Sequence, residues 1–234
     1  MDITNEVQII RYSKGKQSCL MDVVTQEYFL DIFVNGEKYS SLNCTPRELT
    51  ELVIGHLICE GVITDKRDLT SLDINEQKGT ADSAVKEKSP KPDESDPKKV
   101  YHTSFLFENL ENFYSTSELF YSTGAVHKSA LYNDEGFIMD AVDISRHNTV
   151  DKLMGKANLQ GINLSQCYMI ISGRVHLEIV KKVACAGIKM LVSRSAPSAQ
   201  AIEEAKKRDI TLLGFARGDR FNVYCGEKRI DMGI

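Results

Sequence analysis

The sequence predicts an α/β protein (α+β overall), with a strand-rich first part and a later part in which strands and helices alternate. Three observations point there. Short, largely apolar strand candidates near Tyr168–Ile171, Ile188–Val192 and Ile210–Phe215 are each separated by one helical segment. Such alternation implies a largely parallel sheet with helices on its faces. The first quarter instead carries β-branched and aromatic runs, and a well-marked helix closes it.

The elements follow in order. Glu6–Ile10 and Tyr28–Val34 read as strands, and Asn35-Gly36 follows the second at once. Asn-Gly suits a two-residue hairpin turn because both central residues need positive φ, so Lys38–Leu42 is the expected return strand. Thr45 is read as a helix N-cap, with Pro46 in the first helical position and Glu48 completing a capping box. Leu49, Leu52, Val53, His56 and Leu57 then repeat at helical spacing, and Gly61 ends the helix. Residues 79–99 are rich in charge and proline with little to bury, and read as a mobile linker. It divides a β-rich N-terminal subdomain, 1–78, from an α/β domain, 100–234. In the latter, Phe105–Phe120 reads as a helix. Ala130–Tyr132 and Phe137–Met139 form a hairpin, and a helix starts near Arg146.

Bulk properties narrow the function. Of 234 residues, 42% are hydrophobic and 26% charged, and the net charge is −4, which gives no general attraction to nucleic acid or to a membrane surface. Any anion site must then be local. No run approaches the roughly 20 apolar residues of a membrane span. The N-terminus has neither the basic start nor the apolar stretch of a signal peptide, so a cytoplasmic protein is expected. The six cysteines form no C-x-x-C pair and read mainly as small buried hydrophobes of a reducing compartment.

Ligands of open α/β sheets bind outside the carboxyl ends of the strands, and the polar residues collect there. Ser172-Gly173-Arg174, Ser193-Arg194-Ser195 and Ala216-Arg217-Gly218-Asp219-Arg220 each follow a strand. Two of these junctions open helices, whose N-termini favour anions. Arg217 and Arg220 can grip phosphate oxygens in pairs. A pyrophosphate-containing nucleotide suits all three, although caps and turns with solvated arginines would look the same. A second cluster joins Thr123-Gly124-Ala125-Val126-His127 to Asp143 and the run Arg146-His147-Asn148. His147 with Asp143 has the composition of an acid–base pair, which would suit a nucleotide hydrolase, but no P-loop or metal-ligand spacing accompanies it.

These strings resemble the FdhD/NarQ family. Asp143-Ile144-Ser145-Arg146-His147-Asn148-Thr149-Val150-Asp151-Lys152-Leu153-Met154-Gly155 is similar to its D-V-G-R-H-N-A-V-D-K-x-x-G signature. Thr123 to His127 resembles T-G-G-x-H, Ser172-Gly173-Arg174 matches S-G-R, and Ser195-Ala196-Pro197 matches S-A-P. Cys44-Thr45-Pro46, Gly55-His56-Leu57 and Glu60-Gly61 resemble its N-terminal pattern, and Gly214-Phe215 with Arg217 to Tyr224 its C-terminal one.

The resemblance implies a cytidine-deaminase-like three-layer α/β/α domain with a smaller N-terminal β-rich subdomain. It implies a formate dehydrogenase accessory protein that passes sulfur from a cysteine desulfurase to the molybdenum cofactor before insertion into apo formate dehydrogenase or a related oxidoreductase. Mo-bis(molybdopterin guanine dinucleotide) would be bound cargo, held by Phe215, Ala216, Arg217, Gly218, Asp219 and Arg220. Ser172, Gly173, Arg174, Ser195, Thr123, Gly124, His127, Arg146, His147 and Asn148 complete the expected site. No intrinsic metal is expected, since the deaminase zinc pattern is missing. A homodimer is expected on general grounds. The family's C-G-x-C-G segment has no counterpart, because the region ahead of Thr123 contains no cysteine back to Cys59. Cys225, nearest in sequence to the arginine motif, is the candidate relay thiol; the alternative is a cofactor-binding chaperone without sulfur relay.

Overall fold

A computed structural model describes residues 2–90, 99–115, 119 and 123–233. Its centre is a six-stranded sheet in the order β13-β12-β11-β10-β8-β9. The strands are β8 (His127–Asn133), β9 (Gly136–Asp143), β10 (Tyr168–Ile171), β11 (Met190–Ser193), β12 (Thr211–Arg217) and β13 (Arg220–Cys225). Helices α3 (Arg146–Gln160), α4 (Leu177–Cys185) and α5 (Ala199–Lys207) connect them, and α2 (Thr103–Ser115) precedes them.

Both faces of this sheet are buried, which is why its central strands read as unbroken apolar runs. Met169, Ile171 and Leu191 pack with Val150, Leu153, Ile179, Val183 and Ala201 of α3, α4 and α5. Tyr168, Ile170 and Val192 alternate to the other face and pack with Leu106, Leu110 and Phe113 of α2. The result is the expected three-layer α/β/α arrangement. The expected largely parallel sheet is corrected to a mixed one: only β10/β11 and β11/β12 are parallel, while β12/β13, β10/β8 and β8/β9 are antiparallel. Hairpins at both edges supply the antiparallel strands.

The N-terminal subdomain holds a four-stranded sheet in the order β4-β3-β6-β5: β3 (Tyr28–Val34), β4 (Glu37–Cys44), β5 (Leu69–Asn75) and β6 (Thr80–Val85). Asn35 and Gly36 have φ of 51° and 85°, the positive-φ pair expected of the hairpin turn. Helix α1 (Leu49–Cys59) covers this sheet through Leu52, Val53 and Leu57 against Leu30 and Ile32. A two-stranded ribbon precedes it, β1 (Thr4–Ser13) with β2 (Lys16–Thr25), and β2 has no counterpart among the sequence expectations. Short strands β7 (Tyr101–His102) and β14 (Ile230–Asp231) pair with each other.

Two expectations give way to tertiary structure. The linker read over 79–99 begins with β6, which pairs parallel to β3 and antiparallel to β5 in the interior of a sheet. Ser89 also hydrogen-bonds Asp68 through its backbone N–H. Residues 91–98 lie outside the described residues, as do 116–118 and 120–122 of the helix read over Phe105–Phe120. The capping box at Thr45 is not formed: α1 starts at Leu49 after Glu48 in a left-handed conformation (φ 57°) with no side-chain cap. Thr45 is buried and turned to the other subdomain instead.

Candidate functional site

Because β8 and β9 run opposite to their neighbours, the start of β8 and the end of β9 share one rim of the sheet with the ends of β10, β11 and β12. Ile171 is paired with Ser129, His127 with Asp143, and Arg217 with Arg220. Chain positions nearly a hundred residues apart thereby meet at one edge.

Serines knit the central part of that rim. Ser193 Oγ donates to the Gly173 carbonyl at 2.7 Å and accepts from the Ser195 amide at 2.9 Å. Ser195 Oγ donates to the Ser172 carbonyl at 3.2 Å. Ser172 Oγ accepts from the Lys128 amide at 2.9 Å and lies 3.4 Å from His127 Nδ1. Gly173 is required by proximity, since a Cβ there would lie 3.1 Å from Arg146 Cβ and 3.4 Å from His127 Nδ1. Arg146 Nη2 donates to His176 Nδ1 at 3.1 Å, whereas Arg146 Nε is buried without a hydrogen-bond partner. The amides at the starts of α3 and α4 receive no side-chain cap from Ser145 or His176, so their positive ends add to the rim.

The field of this edge registers in its imidazoles. Burial, then Arg146, pushes His127 and His147 below the ordinary histidine value, and the same causes lower His176. Burial disfavours the charged form, and a neighbouring guanidinium repels it further.

At the far end of the rim a β-bulge between Gly214 and Arg217 turns Phe215 outward. Phe215 has φ of 51°, is 38% exposed, and donates its amide to the Ser195 carbonyl at 3.1 Å. Ala216 is buried beside it. Arg217 is anchored by Nε donating to the Arg194 carbonyl at 3.2 Å. Gly218 (φ 57°), Asp219 and Arg220 form the exposed turn that follows. Thr123 and Gly124 shape the approach to β8: Thr123 Oγ1 donates to the Leu119 carbonyl and accepts from the Ala125 amide, and Gly124 has φ of 63°.

The thirteen-residue signature from Asp143 divides its labour. Asp143 and Lys152 are fully buried and paired at 2.7 Å. Asp143 also accepts from the Thr45 amide and hydroxyl, the Ser145 amide and Asn148 Nδ2, all within 2.9–3.0 Å. Asn148 Nδ2 reaches the Asn43 carbonyl at 2.8 Å. Asp151 binds His56 Nδ1 at 3.1 Å and Lys182 at 2.8 Å. Burial opposes its ionisation, but the His56 and Lys182 contacts outweigh that and lower its pKa. Beside these groups α1 and α3 cross at paired glycines: a Cβ on Gly55 would lie 1.7 Å from the Asp151 carbonyl oxygen, and one on Gly155 1.9 Å from that of Glu51. These residues join the subdomains, whereas Arg146 and His147 belong to the rim.

That division changes two sequence expectations. Asp143 is saturated by the joint rather than paired with His147, whose Nε2 lies 3.5 Å from Glu178 Oε2 without a hydrogen bond. An Asp143–His147 acid–base pair is therefore not assembled. Cys225 pairs with Leu212, at the end of the β12–β13 hairpin away from Arg217 and Arg220. Five residues of strand separate them, about 17 Å. Sequence reasoning also passed over His176, which partners Arg146, and Thr25 and Glu27, which line a cleft beside His147. Thr25 and Glu27 carry no local signal, since only the folded chain brings them near α3.

Comparison with known proteins agrees with this architecture. The FdhD/NarQ family model matches residues 25–106 and 89–231. A protein of Listeria monocytogenes serotype 4b (strain F2365) named sulfur carrier protein FdhD is 34% identical over 260 residues, covering 98% of this chain and all of the relative. The protein of that name from Bacillus subtilis (strain 168) is 30% identical, covering 97% and 98%. A crystal structure from Desulfotalea psychrophila, assigned as a candidate formate dehydrogenase accessory protein, superposes with a TM-score of 0.85 at 24% identity, over 98% of this chain and all of that one. Among the described residues no helix is long and apolar enough to cross a membrane, and no three His, Cys, Asp or Glu side chains cluster as metal ligands. The matched models, the relatives and the fold together place this chain in the FdhD/NarQ family.

Proposed function

We propose that this chain is a formate dehydrogenase accessory protein that carries Mo-bis(molybdopterin guanine dinucleotide) as cargo along the sheet rim and hands it to the apo-oxidoreductase. The observation that carries the reading is that Arg146, Arg174 (whose charge acts on His127 and His176), Arg217, two uncapped helix N-termini and exposed Phe215 share one edge. Such an edge suits a pyrophosphate flanked by aromatic rings: the guanidinium groups and amides meet the phosphate oxygens, and Phe215 offers a face for stacking. The buried, unpartnered Arg146 Nε fits a ligand that lies against the rim. The Desulfotalea psychrophila structure, assigned as a candidate formate dehydrogenase accessory protein, supplies the link to formate dehydrogenase.

The cysteines favour carriage without a thiol relay at this edge. Burial pushes Cys44 up to about 12 and Cys167 up to about 11, and raises Cys59 well above the usual thiol range. Cys225 is raised too, by burial first, and donates to the Ile210 carbonyl. A relay needs an accessible thiolate. The relatives' name, sulfur carrier, favours a second reading, in which a thiolate of this chain takes the sulfane sulfur of a cysteine desulfurase persulfide and the donor leaves as thiolate. Exposed Cys19 on the ribbon is the thiol best suited to it.

Calorimetric titration of GDP, standing for half of the cargo, tests the first reading. Arg217→Ala and Arg220→Ala are each expected to weaken binding by about 1.5–3 kcal/mol, the worth of hydrogen bonds to charged groups. Wild-type affinity in both variants removes the assignment. Loss of oxidoreductase activation in Cys19→Ser with GDP binding intact would favour the second reading.

A further inference from the structure

The joint between the subdomains holds a hydrogen-bonded chain of three side chains from three elements: Ser40 on β4, His56 on α1 and Asp151 on α3. His56 Nδ1 lies 3.1 Å from Asp151 Oδ2, and His56 Nε2 lies 3.1 Å from Ser40 Oγ. Burial opposes ionisation of Asp151, but its contacts with His56 and Lys182 outweigh that. An ionised carboxylate only accepts, so Nδ1 carries the proton of the neutral ring and Nε2 accepts from the Ser40 hydroxyl. A hydroxyl bonded to an imidazole that a carboxylate orients is the order of a base-activated nucleophile.

The surroundings suit that role. Asp151 and His56 are buried, whereas Ser40 is half-buried, so the reactive end of the chain is the one nearest solvent. Ser40 pairs with Ile32 and shares the sheet face that α1 covers. A register shift beside it leaves Tyr39 as an extra residue against β3, which bends the strand next to Ser40. β4 is the edge of its sheet, so the amides on its open side have no strand partner and can serve as oxyanion donors. Lys182 Nζ donates to Asp151 Oδ1 at 2.8 Å and to Glu60 Oε1 at 3.1 Å. Two carboxylates around one ammonium leave one negative charge, which an imidazolium at His56 would balance.

We propose that Ser40, His56 and Asp151 form a serine-nucleophile centre that hydrolyses small, uncharged carboxylic esters. Ser40 Oγ bonds to the acyl carbon while its proton passes to His56 Nε2. As the ester C–O bond breaks, the imidazolium returns that proton to the leaving alkoxide. Water then attacks the acyl-serine, gives its proton to Nε2, and Ser40 Oγ leaves and takes that proton back, releasing the carboxylic acid. Asp151 is a positioning residue that fixes the tautomer. Exposed Tyr39 stands edge-on to the His56 ring, with centroids 6.2 Å apart, and offers a face to a short acyl group. Exposed Glu60 disfavours an anionic substrate. The centre is independent of the cargo reading.

The full chain is tested with a fluorophosphonate, located by peptide mass spectrometry, and with p-nitrophenyl acetate. The label is expected on Ser40. Ser40→Ala, which leaves the His56–Asp151 contact in place, should lower ester hydrolysis by about a hundredfold or more, the lower end of what a positioned base contributes. His56→Gln should lose the label to the same degree while its melt still shows a folded protein. NMR of the His56 ring nitrogens should find the neutral-ring proton on Nδ1. In Asp151→Asn, Lys182 claims the amide oxygen, the amide N–H faces the ring, and the proton should move to Nε2. A wild type unlabelled at Ser40, hydrolysis that Ser40→Ala leaves unchanged, or a label that survives His56→Gln overturns the proposal. A wild-type ring proton on Nε2 overturns it without any variant.

Discussion

Replacing Asp143 by alanine separates a structural from a chemical role for the family signature. The carboxylate is fully buried, accepts four hydrogen bonds and pairs with fully buried Lys152 at 2.7 Å. Its removal strands the Lys152 ammonium with only the Thr45 oxygens, at 2.9 and 3.4 Å. Breaking a buried pair in this way costs about 3–5 kcal/mol, a large share of the roughly 5–15 kcal/mol that holds a typical protein folded. For a chain of this size that corresponds to a fall of about 6–20 °C in melting temperature. Circular-dichroism melts and urea titrations read it directly. Asp143→Leu combined with Lys152→Met should recover most of the loss, since a packed apolar pair replaces two desolvated charges. An alanine variant that melts with the wild type would sink this reasoning. Native stability with GDP binding abolished would return Asp143 to the ligand.

Three further outcomes are expected. Gly55→Ala should destabilise the fold by at least the 1–3 kcal/mol typical of overpacking, because its Cβ would meet the Asp151 carbonyl oxygen at 1.7 Å; a urea midpoint equal to that of the wild type would refute the close crossing. His127 and His147 titrate below their ordinary value of 6.5 when folded. The unfolded chain then takes up protons first as pH falls, so stability should be flat above about 6.5 and decline below it, and His127→Gln with His147→Gln should flatten that decline. Asp151, lowered from 3.8, adds stability that is lost only at more acid pH. In alkylation at pH 8 followed by mass spectrometry, exposed Cys19 should react while Cys44, held near 12, reacts only in denaturant. Equal rates in the native protein would place Cys44 at the surface.

The sequence was legible where local pattern and tertiary use coincide. Tyr168–Ile171 and Met190–Ser193 are wholly buried, so every residue advertised the strand, and Asn35-Gly36 could only be a turn. The rim was legible as well, because Ser172-Gly173 follows β10 and Phe215 to Arg217 close β12. Legibility failed where distant contacts override local signals. Thr45 looks like a cap but spends its hydroxyl on Asp143 and Lys152. Thr80–Val85 is short and polar, and becomes a strand only because β3 and β5 flank it. Asp143 and His147 sit four residues apart in sequence, yet burial gives the carboxylate to the joint and leaves the imidazole at the rim.

The glycine crossing of α1 and α3 has a mechanical corollary. Gly155 lies nine residues from Arg146 on one continuous helix, about 14 Å along its axis. The crossing acts as a fulcrum and the helix as a stiff lever: a 5° tilt there would swing the guanidinium end by roughly 1 Å, a misplacement large enough to impair a positioned ligand. The glycine crossing with α1 thus helps set the alignment of Arg146, and a methyl group added at the fulcrum would be felt at the tip.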